Sequence, residues 1–435
     1  MFGFFASQEK KARDNASNWL ELAGKVWHFR RDQLSEKDAT ELRQRTGNLR
    51  QQLKSRAEAA KLKLGIEALE PVLRKTGGAI YPKTSLVENV EFFLVAAIVI
   101  LGIRTYFVQP FKIPTNSMWP TYYGMTPEVF QKKAEEPGAL AAAARFVALG
   151  AWPHRIDAPA DGEILVPIGG RERHGYLHCR TVPGRKWLVL PTTLREYTLL
   201  VGDEPVTVKV PADFDFDWAL YDAYFSDGER YNSQRFGEQL VNRLGNRQFV
   251  TATVDGEELR CIRTGHFVHK GDRMLSFDVL TGDQLFVDRI SYNFVPPHVG
   301  SGFVFRTDHI RSEHMEDPVT GRQIEDYYIK RLVGVPGDTL EVKGTELFRN
   351  GAPIQGAAAF EANARRADKY PGYRADGSLA PGQTVHVPPD GFFAMGDNSP
   401  NSEDSRFWGF VPRKDAVGRP LFIYYPFTRR WGPAR

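Results

Sequence analysis

The run Phe92 to Ile103, FFLVAAIVILGI, carries no charge. Arg104 and Thr105 interrupt it, and Tyr106, Phe107 and Val108 extend it. As a helix, residues 92–108 would reach about 25 Å, near the lower limit for crossing a bilayer. Arg104 stands one turn from the end, where its aliphatic stem can carry the charge to the headgroups. A buried core helix is the alternative for so short a run. The run starts too far along the chain for a cleaved secretory signal, and residues 1–30 hold no long apolar stretch. We therefore read residues 89–109 as a retained, single-pass transmembrane anchor. Residues 1–91 contain 17 Lys+Arg against 12 Asp+Glu, while the remainder carries a net charge of −1. The basic side is expected to stay in the cytoplasm. Close to the anchor the bias is thin, with Arg74, Lys75 and Lys83 on one side and Arg104 and Lys112 on the other.

The two flanks differ in pattern. Residues 38–75 read as one helix, with Leu42, Leu49, Leu53, Ala57, Ala60 and Leu64 on an apolar stripe. Gly77-Gly78 and Pro82 mark a linker, so residues 1–88 form a largely helical cytoplasmic region. Beyond Pro110, short alternating runs such as LFVDRI, FVFRT and YYIKRLVGV are divided by Gly, Asp and Pro, the pattern of an all-β domain. Residues 110–435 are then an extracytoplasmic β-rich domain. A less patterned insert occupies about 125–280, with a helix expected from Ala139 to Ala148. At 435 residues the chain is long enough for two or three folding units. Its net charge of +4 is too mild to argue for nucleic acid. Two cysteines and no CxxC make no disulfide scaffold.

GxSxG and HExxH are absent, and the single SxxK lies at the N-terminus ahead of any patterned core. Three islands remain. Phe111–Thr121 holds Ser117 between Pro114 and Pro120, so the local backbone is restricted. Tyr328–Asp338 places Lys330 and Arg331 in an apolar strand, where alternation points one of them inward. Burial lowers a lysine pKa, and a neutral amine is a competent general base. Gly396–Arg406 packs hydroxyl and carboxylate side chains around one arginine, a fixed polar network.

In this order, behind an anchor, the three islands resemble type I signal peptidases over about 90–124 and 281–415. IPTNSMWPT matches the family's nucleophile block, which makes Ser117 the counterpart of the nucleophile. Lys-Arg-x-x-Gly-x-Pro-Gly-Asp matches in full and gives Lys330 as general base. The Gly-Asp-Asn…Ser-x-Asp-Ser-Arg block makes Ser402 the residue that orients the amine, with Asp397, Asp404 and Arg406 supporting the site. Gly282–Arg289 matches a structural strand. Thr115 stands where the family has a small hydroxyl for the oxyanion hole, and Asn116 replaces a glycine; asparagine tolerates positive φ. Trp119 and Tyr122 are bulkier than the usual residues. Phe111, Ile113, Pro114 and Ile329 match positions that line the family's substrate pockets.

The resemblance implies a mainly β fold, an antiparallel catalytic domain of the signal-peptidase type carrying a large insert. It implies a serine endopeptidase that removes signal peptides after small, Ala-x-Ala-like residues. Its partners would be preproteins, the lipid bilayer and, as a further candidate, the secretion machinery. Its place would be the cytoplasmic (inner) membrane, with the catalytic domain outside. Neither metal nor organic cofactor is required. The His174…Cys179 and Cys261…His269 half-sites leave three readings open: free thiols, a Cys179–Cys261 disulfide, or zinc. Two other functions compete: a self-cleaving Ser/Lys repressor, and an anchored binding or scaffold protein that uses the insert.

Overall fold

The computed structural model describes residues 8–186, 190–226, 228–316 and 322–434. The chain divides into two compact units, Met1–Leu101 and Gly102–Arg435. In the first, α1 (Gln8–Arg30), α2 (Glu36–Lys54) and α3 (Ala59–Thr76) pack around Leu42, Leu49, Leu62, Leu69 and Leu73. Ser35 starts α2 by accepting a hydrogen bond from the Asp38 amide at 3.1 Å. The single helix expected over 38–75 is thus two helices. Arg56 adopts φ 53° and breaks the chain between them, which resets the helical phase. Leu62 and Ile66 turn inward in α3, and Leu64 of the expected stripe is left 65% exposed.

The next helix, α4 (Ser85–Tyr106), has 22 residues and none of them is buried. Its best 18-residue window has a mean hydropathy of 2.2, long and apolar enough to cross a membrane. It begins and ends slightly earlier than the expected 89–109. Val108 is already paired with Asp288 in a sheet, and that pairing ends the helix.

The second unit is built on an antiparallel sheet. Its strands are β1 (Val108–Lys112), β2 (Gln284–Asp288), β3 (Gly302–Arg306), β4 (Tyr327–Gly334), β5 (Gly391–Met395), β6 (Val411–Pro412), β7 (Ala416–Tyr425) and β8 (Gly432–Pro433). The order is β1-β2-β7-β3-β4-β5-β6, with β8 on β7. Both faces of β4 are covered. Leu332 joins a cluster with Phe303, Phe305 and Ala394, and Val333 joins another with Phe393 and Met395. Lys330 and Arg331 are therefore both buried, at 4% and 2% exposure, where alternation alone asked this of only one.

The 125–280 region is better ordered than its sequence pattern suggested. A seven-stranded antiparallel sheet and a three-stranded one enclose a core that includes Tyr197, Phe214, Phe216 and Phe277. Among the described residues, three α-helices accompany them: α5 (Ala139–Leu149), where a helix was expected, α6 (Phe216–Leu220) and α7 (Ser233–Gly245). Cys179 and Cys261 are free and buried. Cys179 lies in the large core and Cys261 in a separate cluster with Leu165 and Leu259. Different packing of the two thiols accounts for the absence of the disulfide. Among the described residues no group of three or more His, Cys, Asp or Glu could hold a metal ion.

Candidate active site

The chain leaves β1 through Ile113, whose amide donates to the Asp283 carbonyl at 2.9 Å. Ile113 is buried with Met118, Tyr122, Leu285 and Val304, and Phe111 and Ile329 pack on the edge of this cluster. Three of the four expected pocket residues are thus together, whereas Pro114 is exposed beside exposed Thr115. The turn that follows closes tightly on itself. A Cβ on Gly124 would stand 2.3 Å from the Thr115 carbonyl oxygen, so only glycine fits. Asn116 closes the turn with its side chain: Nδ2 donates to the Met125 carbonyl at 2.7 Å and Oδ1 accepts from the Gly124 amide at 3.1 Å. The positive φ considered for Asn116 does not occur.

Ser117 is buried at the end of this turn. Its carbonyl accepts the Asn398 amide at 3.0 Å, and Asn398 Nδ2 donates to the Asn116 carbonyl at the same distance. Asn398, which sequence reasoning did not single out, therefore joins the first island to the third. Gly396 is the point of closest approach. A Cβ there would lie 2.2 Å from Ser402 Oγ and 2.5 Å from the Ser117 carbonyl oxygen. Arg331 pairs with Met395 across β4 and β5, with Lys330 just before Arg331 and Gly396 just after Met395 in the chain.

Burial lowers the pKa of Lys330 to about 8, against the opposing pull of Asp404. Its ammonium position is 5.9 Å from the Tyr328 ring centroid. Ser402 Oγ is buried and has no hydrogen-bond partner among the described residues. Two ion pairs hold the surroundings. Arg331 Nε and Nη2 donate to the two oxygens of Asp397 at 2.7 and 2.6 Å, and Thr121 donates to the same carboxylate. Arg406 grips Asp404 at 2.8 and 2.9 Å, and its Nη2 also donates to the Ser399 and Ser402 carbonyls. Asp404 in turn accepts the Gly396 amide at 3.0 Å. Such bidentate pairs fix geometry more than they stabilise the fold. Arg331 and Thr121 were missed as site residues. The two-face burial of β4 is the structural signal for Arg331, and a strand pattern read alone does not contain it.

Residues 259–425 match the family model described as Signal peptidase, peptidase S26. A probable signal peptidase I-1 of Synechocystis sp. is 35% identical over 151 residues, which is 35% of this chain and 66% of that protein. Signal peptidase I of Leptolyngbya laminosa is 33% identical over 148 residues, 34% of this chain and 62% of its own length. The chain thus spans just under two thirds of these relatives. A solved signal peptidase I from Enterococcus faecalis V583 is 28% identical and covers 29% of this chain and 97% of its own; its TM-score is 0.19.

Proposed function

We propose that this chain, a type I signal peptidase relative by its matched segment, is a membrane-anchored serine endopeptidase that removes signal peptides from exported preproteins. The carrying observation is that Ser402 and the Ser117 backbone both close on Gly396, which follows Met395, the β5 partner of Arg331, while the neighbouring Lys330 is buried with its pKa lowered to about 8. In this reading neutral Lys330 accepts the Ser117 hydroxyl proton as Oγ attacks the scissile carbonyl. The Ser117 amide and Thr115 hydroxyl stabilise the oxyanion, a class of contact worth about 3–4 kcal/mol per donor. Lys330 then protonates the leaving amine and activates water to release the acyl-enzyme. Ser402 orients the amine, and the Asp397 and Asp404 pairs hold the frame.

Substrate choice follows from the apolar edge that Phe111 and Ile329 form over buried Ile113 and from the short tether. Ser117 is nine residues past Val108, at most about 30 Å of extended chain. That keeps the site within reach of a preprotein held in the bilayer by its own signal sequence. The anchor crosses the cytoplasmic membrane once, with 1–88 inside and 110–435 outside. The secretion machinery is the natural supplier of substrate.

The test is cleavage of a preprotein with an Ala-x-Ala site, in detergent, by the wild type, Ser117→Ala and Lys330→Ala. The wild type is expected to cut after the second alanine, and both variants to lose about 10³-fold or more in rate while still folded. An inert wild type, or active variants, would sink the reading.

A further inference from the structure

Two residues with no part in the proposed chemistry meet on the turn that carries Ser117. One is Asp283, fully buried just ahead of β2. Its carbonyl accepts the Ile113 amide at 2.9 Å where the turn begins, and its amide donates to the Tyr123 carbonyl at 2.8 Å where the turn ends. Its carboxylate adds a third bond, accepting the Tyr123 amide on Oδ2 at 2.8 Å. Ser117 thus lies on a loop whose two feet are fastened to one residue.

The other is Arg430, which stands beyond residue 425, the end of the segment matched to the family model. β7 ends at Tyr425, and Gly432 of β8 returns to pair with Ile423, so Arg430 sits in a short turn held at both ends. From there Arg430 Nε lies 3.1 and 3.0 Å from the two oxygens of Asp283, and Nη2 donates to Oδ1 at 2.8 Å. The same guanidinium covers the Tyr123 ring, 3.5 Å from its centroid. Tyr123 lies 6.2 Å from Trp119, whose indole meets Trp218 of α6 edge-on at 5.9 Å. Packing alone does not call for the ion pair. An apolar side chain at 283 would avoid desolvating a carboxylate, but the Tyr123 amide would lose its acceptor. The two backbone bonds of residue 283 need no particular side chain, so what the carboxylate adds is the hold on Tyr123 and the tie to Arg430.

We infer that Asp283 and Arg430 brace the nucleophile turn, and that the last segment of the described chain thereby sets the position of Ser117. Both are positioning residues that act through Tyr123 and Ile113, and the inference rests on the Ser/Lys peptidase reading. A displacement of the order of 1 Å at a reacting group can cost about 100-fold in rate. Loss of the brace should therefore appear in kcat and leave KM nearly unchanged.

The experiment compares wild type, Arg430→Ala, Arg430→Lys and the Asp283→Asn/Arg430→Ala double variant. Each is assayed for preprotein cleavage, melting temperature and amide hydrogen exchange at Tyr123. Arg430→Ala strands a buried carboxylate, so the melting temperature should fall and kcat should drop about 10- to 100-fold. Asn at 283 removes the stranded charge and keeps an oxygen for the Tyr123 amide. The double variant should therefore regain the melting temperature while its kcat stays low. Arg430→Lys leaves a cation beside Asp283 without the two-point grip, and it decides the matter if Arg430→Ala does not fold. It should lose about tenfold in kcat and exchange faster at Tyr123. A kcat that returns with the melting temperature in the double variant would reduce the pair to a fold-stabilising contact and overturn the brace. Wild-type kcat or wild-type Tyr123 exchange in Arg430→Lys would overturn it too. A wild type that cuts, beside variants that cut equally well, sinks the brace and spares the peptidase reading. A wild type that never cuts sinks both.

Discussion

A lysine amine in the middle of a doubly covered strand is costly to keep charged, and two consequences follow at the level of that one residue. The proposed base must be neutral to act, so cleavage should rise with pH through about 8, the value to which burial lowers Lys330. Each unit below that limb should cost about tenfold in kcat/KM, and a pH–rate profile flat from 6 to 9 would refute it. The same shift is a stability statement. Below pH 8 both the folded and unfolded chains bind this proton, and the folded state bears the full cost of the buried charge. Between pH 8 and the ordinary value of 10.5 only the unfolded chain keeps the proton, so the cost shrinks and vanishes above that range. Lys330→Met should thus stabilise the fold at pH 7 by about 3 kcal/mol, on the scale of 1.36 kcal/mol per pKa unit, and by little near pH 10.5. Urea midpoints at the two pH values measure this. Gly396 makes the opposite case. Its missing Cβ leaves room for Ser402 Oγ and the Ser117 carbonyl, so Gly396→Ala should overpack the site by about 1–3 kcal/mol and cut activity more sharply than stability.

At the level of elements, the third island is held by charge inside a small space. Asp404 and Arg406 are both fully buried, and Asp404 also binds the Gly396 amide. Arg406→Met would strand that carboxylate, and about 3–5 kcal/mol of stability should be lost, read as a lowered denaturant midpoint. Removing both charges together should cost less than that. Element types were legible where the chain repeats a pattern long enough to be counted: the apolar α4, the alternating strands and the alanine-rich α5. What failed was a boundary. The stripe Leu42–Leu64 keeps helical spacing straight across residues 55–58, so periodicity cannot show the break. The break depends on Arg56 in a left-handed conformation, which costs a non-glycine residue about 1 kcal/mol. Arg56→Gly should therefore be neutral or slightly stabilising and Arg56→Val destabilising, as thermal melts would report.

Over the whole molecule, the candidate site was more legible than the architecture that carries it. Chemistry needs particular residue types at fixed spacing, and IPTNSMWPT, YIKRLVGVPGD and GDNSPNSEDSR could be found by eye. The insert follows no such rule. Its core is assembled from strands far apart in the chain, Gly162–Ile168 with Leu190–Val201 and Glu257–Val268 for example, and a side chain such as Trp218 acquires meaning only when the fold brings it to Trp119. Orientation in the membrane is a property of the whole chain too, and its sequence signal is weak. The first 91 residues carry 17 basic against 12 acidic side chains, yet few of these charges lie close to the apolar helix. The bias still favours retention of the N-terminal side in the cytoplasm, and the proposed substrates present their cleavage sites on the other face. Protease added to intact spheroplasts should then digest residues 110–435 and leave a protected fragment containing 1–106. The opposite pattern, a protected C-terminal unit, would put Ser117 on the wrong side of the membrane for exported preproteins and would require a different substrate.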